Sequence, residues 1–202
     1  MNVDAGPIEV DVRGLVCPEP VVRTRAALEA NPGKVVRVLT DSTESRDNIS
    51  RFAQGRGYEV SWTQPKPGVW AVEIKGSPSP GQPSAPAGAV ETGRVILIAA
   101  EEFGSGSPEL GQLLMQLLLR SLGEVPAKPG SVVLVHGGVR LATEGSPVLD
   151  ALQRLEQHGV TVRVCGTCLD YYGLKDRVRV GQVSNMFELV EVLLAASGVV
   201  RV

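Results

Sequence analysis

The sequence predicts an α/β protein of two units, a β-α-β-α-β-β unit over residues 1–75 and a parallel-sheet α/β unit over residues 93–202, joined by a linker over 76–92. Three observations predict this. Ile8-Glu9-Val10-Asp11-Val12 alternates apolar and polar residues, the pattern of a half-buried strand. Val95-Ile96-Leu97-Ile98-Ala99 is a continuous apolar run, the mark of a strand buried on both faces. Between them, Gly76 to Gly88 carries four prolines among Gly, Ser and Ala, with no charge and no large apolar side chain. Such a stretch cannot bury enough surface to order itself and is expected to be a flexible linker.

In the first unit, the strand at Ile8–Val12 leads to a helix over Pro18–Ala30, which Asn31-Pro32-Gly33 ends. Val35–Thr40 is a second strand. Thr43 or Ser45 opens a second helix that stops at Gly55 or Gly57. Tyr58–Thr63 and Val69–Lys75 form a hairpin around Gln64-Pro65-Lys66-Pro67-Gly68. In the second unit, helices over Pro108–Leu122, Ser146–His158 and Asn185–Ser197 alternate with strands at Val95–Ala99, Val132–His136, Val160–Cys165 and Val199–Val202. That alternation implies a parallel sheet covered on both faces, with sites at the carboxyl ends of its strands. The apolar residues Leu113, Leu114, Met115, Leu117 and Leu118 fit a well-buried core helix better than an interface between copies of the chain.

The bulk composition excludes several classes. Hydrophobic residues make up 43% and charged residues 21%, as in an ordinary globular protein. The net charge is -2, with acidic and basic residues mixed, so no basic stripe calls for nucleic acid. No segment reaches the roughly 20 apolar residues needed to span a bilayer. Met1 to Val10 has neither the basic start nor the apolar run of a signal peptide, so a cytoplasmic location is expected. In a reducing compartment the three cysteines, an odd count, read as reactive or metal-binding rather than as a disulfide frame.

Cys17 lies between the first strand and the first helix, in Cys17-Pro18-Glu19-Pro20. Proline favours the first helical turn, which puts Cys17 at the N-cap, where the helix dipole favours a thiolate. Glu19 opposes this, and Arg13, Arg23 and Arg25 are candidates to compensate it. On the local pattern alone, a nucleophile and a buried structural cysteine remain equally open. Leu15-Val16-Cys17-Pro18-Glu19-Pro20, the Leu28-bearing helix and Asp41 resemble the TusA/SirA family of sulfur carriers. So does the stretch from Asp47-Asn48-Ile49 to Gly57-Tyr58-Glu59-Val60. This resemblance covers about Ile8 to Lys75. It implies a two-layer α/β fold and a persulfide carried on the cysteine of the Cys-Pro-x-Pro motif, here Cys17.

Cys165-Gly166-Thr167-Cys168 follows a predicted strand directly, so the pair stands at a carboxyl end. The spacing supports dithiol redox, persulfide resolution or half a metal site. A structural zinc needs four ligands, and only Cys17, His136 and His158 could add to the pair, so no metal and no cofactor are expected. Gly104-x-Gly106 lacks the third glycine of a dinucleotide fingerprint and reads as a tight turn. That loop, His136-Gly137-Gly138-Val139 and the pair are expected on one edge of the sheet, where they could line one pocket. The order of elements resembles the DsrE/DsrF-like proteins. Cys165 to Leu174, Val180-Gly181 and Ser184-Asn185-Met186 are more closely similar to YedF-type proteins, which join two such units in this order. The resemblance implies a sulfurtransferase-like role linked to selenium metabolism and, weakly, a homo-oligomer.

Together these readings give an expected relay. Cys17 takes sulfur, or selenium, from a donor such as a cysteine desulfurase. The Cys165/Cys168 pair accepts it, and one member can release it by disulfide formation or to an acceptor protein. Two alternatives are a redox-switched binding module and a dithiol oxidoreductase. Gly166-Thr167 between the cysteines do not match thioredoxin-type reductants.

Overall fold

The computed structural model describes residues 6–76 and 93–202, which form two compact units. The linker expected over 76–92 lies outside the described residues, apart from Gly76 at its start.

The first unit comprises β1 (Ile8–Asp11), α1 (Glu19–Ala30), β2 (Val36–Thr40), α2 (Thr43–Gln54), β3 (Glu59–Lys66) and β4 (Val69–Lys75). Its sheet runs β1-β2-β4-β3, with β1 parallel to β2 and the remaining pairs antiparallel. Alternation sorts the two faces. Val36, Val38 and Thr40 point into the core, while Arg37 meets its cross-strand partner Glu73 at 2.6 Å on the other face. The buried residues of α2 (Ser45, Asn48, Ile49, Phe52, Ala53) recur at i, i+3, i+4, i+7 and i+8, one face of a helix. Ile49 and Phe52 are completely enclosed, and each contributes about 1.5–3 kcal/mol by leaving water. Ser42 caps this helix, its hydroxyl accepting from the Ser45 N–H at 3.3 Å. At one end of the helix-covered face, the Arg46 guanidinium lies 4.5 Å from the Trp62 ring centre and 4.4 Å from that of Trp70. Asp47 holds the same guanidinium at 2.6 Å.

The second unit comprises β5 (Arg94–Ile98), α3 (Pro108–Glu124), β6 (Ser131–Leu134), α4 (Leu149–Gln157), β7 (Thr161–Cys165), α5 (Gly166–Tyr171), β8 (Gln182–Ser184), α6 (Met186–Ala195) and β9 (Gly198–Arg201). Five parallel strands stand in the order β8-β7-β6-β5-β9. The chain steps outward from β5 through β6 and β7 to β8, then returns across the sheet to β9. Right-handed crossovers therefore put α3 and α4 on one face and α6 on the other. All four residues of β6 are buried, as a strand covered on both faces requires.

Several boundaries differ from expectation. The strand drawn to His136 ends at Leu134, and residues His136–Ala142 wind into a 3-10 turn. The helix drawn from Ser146 starts at Leu149, because Pro147 and an Ser146 hydroxyl that accepts from the Val148 N–H hold an open turn first. Helix α3 is not wholly buried. Gly111, Met115, Leu119 and Gly123 form its inward row, while Leu113 and Leu117 remain about half exposed, at 51% and 50%. Among the described residues, no helix is long and apolar enough to cross a membrane.

Candidate functional site

In the first unit, β1 delivers the chain to a tight turn at its carboxyl end. Gly14 adopts φ +72°, a conformation that glycine accepts without a side-chain penalty. Its N–H points at both carboxylate oxygens of Asp41, each at 3.0 Å. The turn is closed further by the Leu15 N–H on the Val12 carbonyl and the Glu19 N–H on the Val16 carbonyl. Asp41 thus ties the loop that carries Cys17 to the end of β2. Cys17 is half-buried with a free thiol, and its neighbour Val16 is 80% exposed.

Cys17 is not the N-cap. Pro18 occupies that position, because its carbonyl accepts from the N–H groups of Val21 and Val22, and its backbone (φ -95°, ψ 1°) is only half helical. Cys17 stands one residue upstream, joined to Pro18 through a cis peptide bond. The three arginines expected to offset Glu19 are each engaged with a carboxylate. Arg13 binds Asp11, Arg23 binds Glu19 at 2.9 Å, and Arg25 binds Glu29 at 2.7 Å. The Arg13 hydrogen bonds hold the Asp11 carboxyl down at about 2. Arg23 therefore neutralises Glu19 directly, and a shallow cleft lined by Arg13, Gly14, Leu15, Arg23 and Asp41 opens beside the cysteine loop.

In the second unit, Cys165 ends β7 and Cys168 lies one turn on, within α5. The two sulfurs are unlike. Cys165 is fully enclosed in the core with Val164 and Leu169, whereas Cys168 is half-buried, and both thiols are free. Burial pushes the Cys165 thiol up to about 12, against the pull of the Cys168 and Thr167 N–H groups. The loop after β6 reaches this turn, and the His136 N–H donates to the Cys168 sulfur at 3.1 Å.

Three loops therefore meet at the carboxyl edge of this sheet, as expected. Gly138 packs against the end of β5 so closely that an added Cβ would lie 2.5 Å from the Ile98 carbonyl oxygen. Arg140 stands 3.7 Å from Glu101 of the loop after β5 and stacks on Tyr172 at 4.7 Å. His136 meets Tyr172 edge-on. A cleft of about 340 Å³, lined by Glu101, Arg140, Glu144, Tyr172 and Arg177, lies beside the pair rather than over it. Gly104 and Gly106 take positive φ in the tight turn before α3, and the Ser107 hydroxyl caps that helix. His158 is exposed at the end of α4. Among the described residues, no three His, Cys, Asp or Glu side chains gather where they could hold a metal ion.

Sequence reasoning missed the His136 backbone donor and the Asp41 anchor. The His136-Gly137-Gly138 run was the available signal for the first, because paired glycines permit the close loop packing that aims the amide.

Known proteins agree with this two-part organisation. Residues 8–76 match the family model of the sulfurtransferase TusA, and residues 92–201 match that of the DsrE/DsrF-like family. A protein of Methanocaldococcus jannaschii named "Putative sulfur carrier protein" is 37% identical over 68 residues, which is 33% of this chain and 91% of that protein. A Thermotoga maritima protein of the same description is 37% identical over 68 residues, 33% of this chain and 86% of its own. Among solved structures, a SirA-like protein from Desulfitobacterium hafniense shares 39% identity, covering 35% of this chain and 97% of that one, with a TM-score of 0.33. The ychN protein of E. coli shares 18% identity over 55% of this chain and 99% of its own, with a TM-score of 0.44. With both of its units matched, the chain belongs to the sulfurtransferase TusA family through its first unit and to the DsrE/DsrF-like family through its second.

Proposed function

We propose that the chain carries sulfane sulfur, or its selenium counterpart, as a persulfide on Cys17 and relays it to the Cys165/Cys168 pair. One observation carries the reading: each unit presents a free, partly accessible cysteine beyond the carboxyl end of a strand, in a loop pinned by specific hydrogen bonds. The chemistry needs no cofactor. The Cys17 thiolate attacks the terminal sulfur of a donor persulfide, and the donor leaves as a thiolate. A second thiolate, from the pair, then attacks the same terminal sulfur and frees Cys17. The donor is a persulfide-forming protein such as a cysteine desulfurase, the final acceptor is another thiol protein, and the setting is the cytoplasm. The leucines that α3 leaves exposed support self-association.

Intact-mass spectrometry tests the relay. Reduced protein is incubated with a cysteine desulfurase and cysteine, and separately with selenide and a thiol, alongside Cys17→Ala, Cys165→Ala and Cys168→Ala. The expected result is one added chalcogen that disappears with Cys17→Ala and accumulates on Cys17 when the pair is lost. No addition on any cysteine, with an active donor, sinks the carrier reading and favours a redox-switched binding module.

A further inference from the structure

The two members of the cysteine pair do not share one environment, and their difference assigns them different roles. Cys165 is enclosed at the end of β7. Cys168 is accessible and faces a donor that the fold holds in place. That donor, the His136 N–H, comes from a residue at φ +47°, the one non-glycine residue with positive φ among those described. A non-glycine residue rarely adopts that conformation, so the surrounding loop must impose it. Gly138 shows how: its Cα rests against the Ile98 carbonyl with no room for a side chain, locking the turn to β5. An N–H donor bonds an ionised acceptor about twice as strongly as a neutral one.

We propose that Cys168 is the sulfur-bearing thiol of the second unit, with the His136 backbone N–H as its fixed donor, and that Cys165 takes up no sulfur while the unit is folded. This deepens the relay reading and rests on it. The Cys168 thiolate attacks the terminal sulfur of the incoming persulfide. A Cys168–S–SH bond forms, the donor S–S bond breaks, and the donor leaves as a thiolate. Passing the sulfur on repeats the exchange with an acceptor thiolate and returns Cys168 to its thiolate, with no net oxidation. The competing route needs Cys165 to attack the inner sulfur, which would form a Cys165–Cys168 disulfide and expel hydrosulfide. Burial works against that route. A thiol held near 12 is ionised to about one part in ten thousand at about pH 8, and its sulfur is shielded from solvent. The second unit therefore hands sulfur on as a persulfide instead of discharging it as sulfide.

The test uses the full chain with glutathione persulfide as the probe, followed by alkylation, peptide mapping and measurement of released sulfide. In the wild type and in Cys165→Ala, the second unit is expected to carry one added sulfur on Cys168, with little sulfide released. In Cys168→Ala the second unit carries none. A parallel alkylation with iodoacetamide, without persulfide, is expected to modify Cys168 at least about tenfold faster than Cys165, with the two rates converging in denaturant. Added sulfur on Cys165, prompt sulfide release that Cys165→Ala abolishes, or equal alkylation rates in the folded chain would each overturn the assignment while leaving the relay standing. Sulfur on Cys17 that never reaches either cysteine of the pair overturns the relay and the assignment together.

Discussion

Replacing Cys165 with valine removes a titrating group from a fully buried position and leaves an apolar side chain one heavy atom larger, whose packing cost does not depend on pH. The thiol rises from an ordinary value of 9.0 to about 12 in the folded chain, with burial as the main cause. Below pH 9 both folded and unfolded chains hold the proton, so the contribution to stability is complete. Between pH 9 and 12 the unfolded chain releases it first, unfolding is drawn forward, and stability falls as pH rises. At about pH 10.5 the loss amounts to 1.5 pH units, or about 2 kcal/mol. Cys165→Val lacks this loss; groups remote from the pair are the same in both proteins and cancel in the difference, while Cys168, which interacts with the Cys165 thiol, contributes a smaller part. Urea unfolding at about pH 7.5 and 10.5 measures it. Both tryptophans, Trp62 and Trp70, belong to the first unit, so fluorescence follows that unit alone. Far-UV circular dichroism must supply the second transition, since two units need not unfold together. The wild type is expected to lose about 2 kcal/mol relative to the variant over this range, in the second transition only. A difference that stays constant across pH would refute the claim that burial keeps this thiol protonated.

Other perturbations separate the parts of the two sites. Gly138→Ala forces a Cβ against the Ile98 carbonyl, so the second unit should lose about 1–3 kcal/mol and Cys168 alkylation should change several-fold with Cys17 unaffected; an unchanged Cys168 rate would detach that loop from the thiol. His136→Gly keeps the backbone N–H and relieves the positive φ, so Cys168 alkylation should stay within about twofold, and a large loss would shift the role to the imidazole. Asp41→Ala releases the Gly14 N–H; with both groups exposed the stability cost should be no more than about 1 kcal/mol, yet persulfide loading of Cys17 should fall several-fold in the mass assay. Arg46→Ala strips a guanidinium from two indole rings and should destabilise the first unit by about 1–2 kcal/mol in fluorescence-detected unfolding, a change below about 0.5 arguing that the stack is incidental.

The elements that sequence located best are those whose burial pattern has one solution. Alternation along Ile8–Val12 and the unbroken apolar run at Val95–Ala99 each fix how a strand is covered, and both strands occur where expected, to within a residue. Helix α3 had no such unique solution. Leu113, Leu114, Met115, Leu117, Leu118 and Leu119 surround most of the helix, so hydrophobicity alone does not choose the inward row. The chain chose Met115 and Leu119, aligned with the small residues Gly111 and Gly123, and left Leu113 and Leu117 half in water. Two of the missed elements, α5 and β8, are six and three residues long, too short for either periodicity to show.

The sites divide along a different line. Cysteines are visible as residue types, and their places after β1 and β7 follow from strand ends. Cys168 differs from Cys165 in its exposure and in the main-chain N–H from His136 that meets its sulfur, and every residue but proline carries such a group. That N–H meets the sulfur where the chain leaves β6, in a loop that then turns through a positive φ at His136 and packs Gly138 against a neighbouring strand. The same holds at Cys17. Proline in the next position suggested an N-cap sulfur, but hydrogen bonds to the Pro18 carbonyl moved the cap by one residue. The restraint on the loop comes instead from Asp41, which lies beyond β2 in the sequence. In both units the candidate cysteine is written in the local sequence, and the group that restrains its loop comes from a strand end brought alongside by sheet pairing: β2 beside β1, and β6 beside β7. Variants at Asp41 and Gly138 therefore test the proposed relay more sharply than further changes within the Cys-Pro-x-Pro or Cys-x-x-Cys segments, because they leave each cysteine in place and alter only its setting.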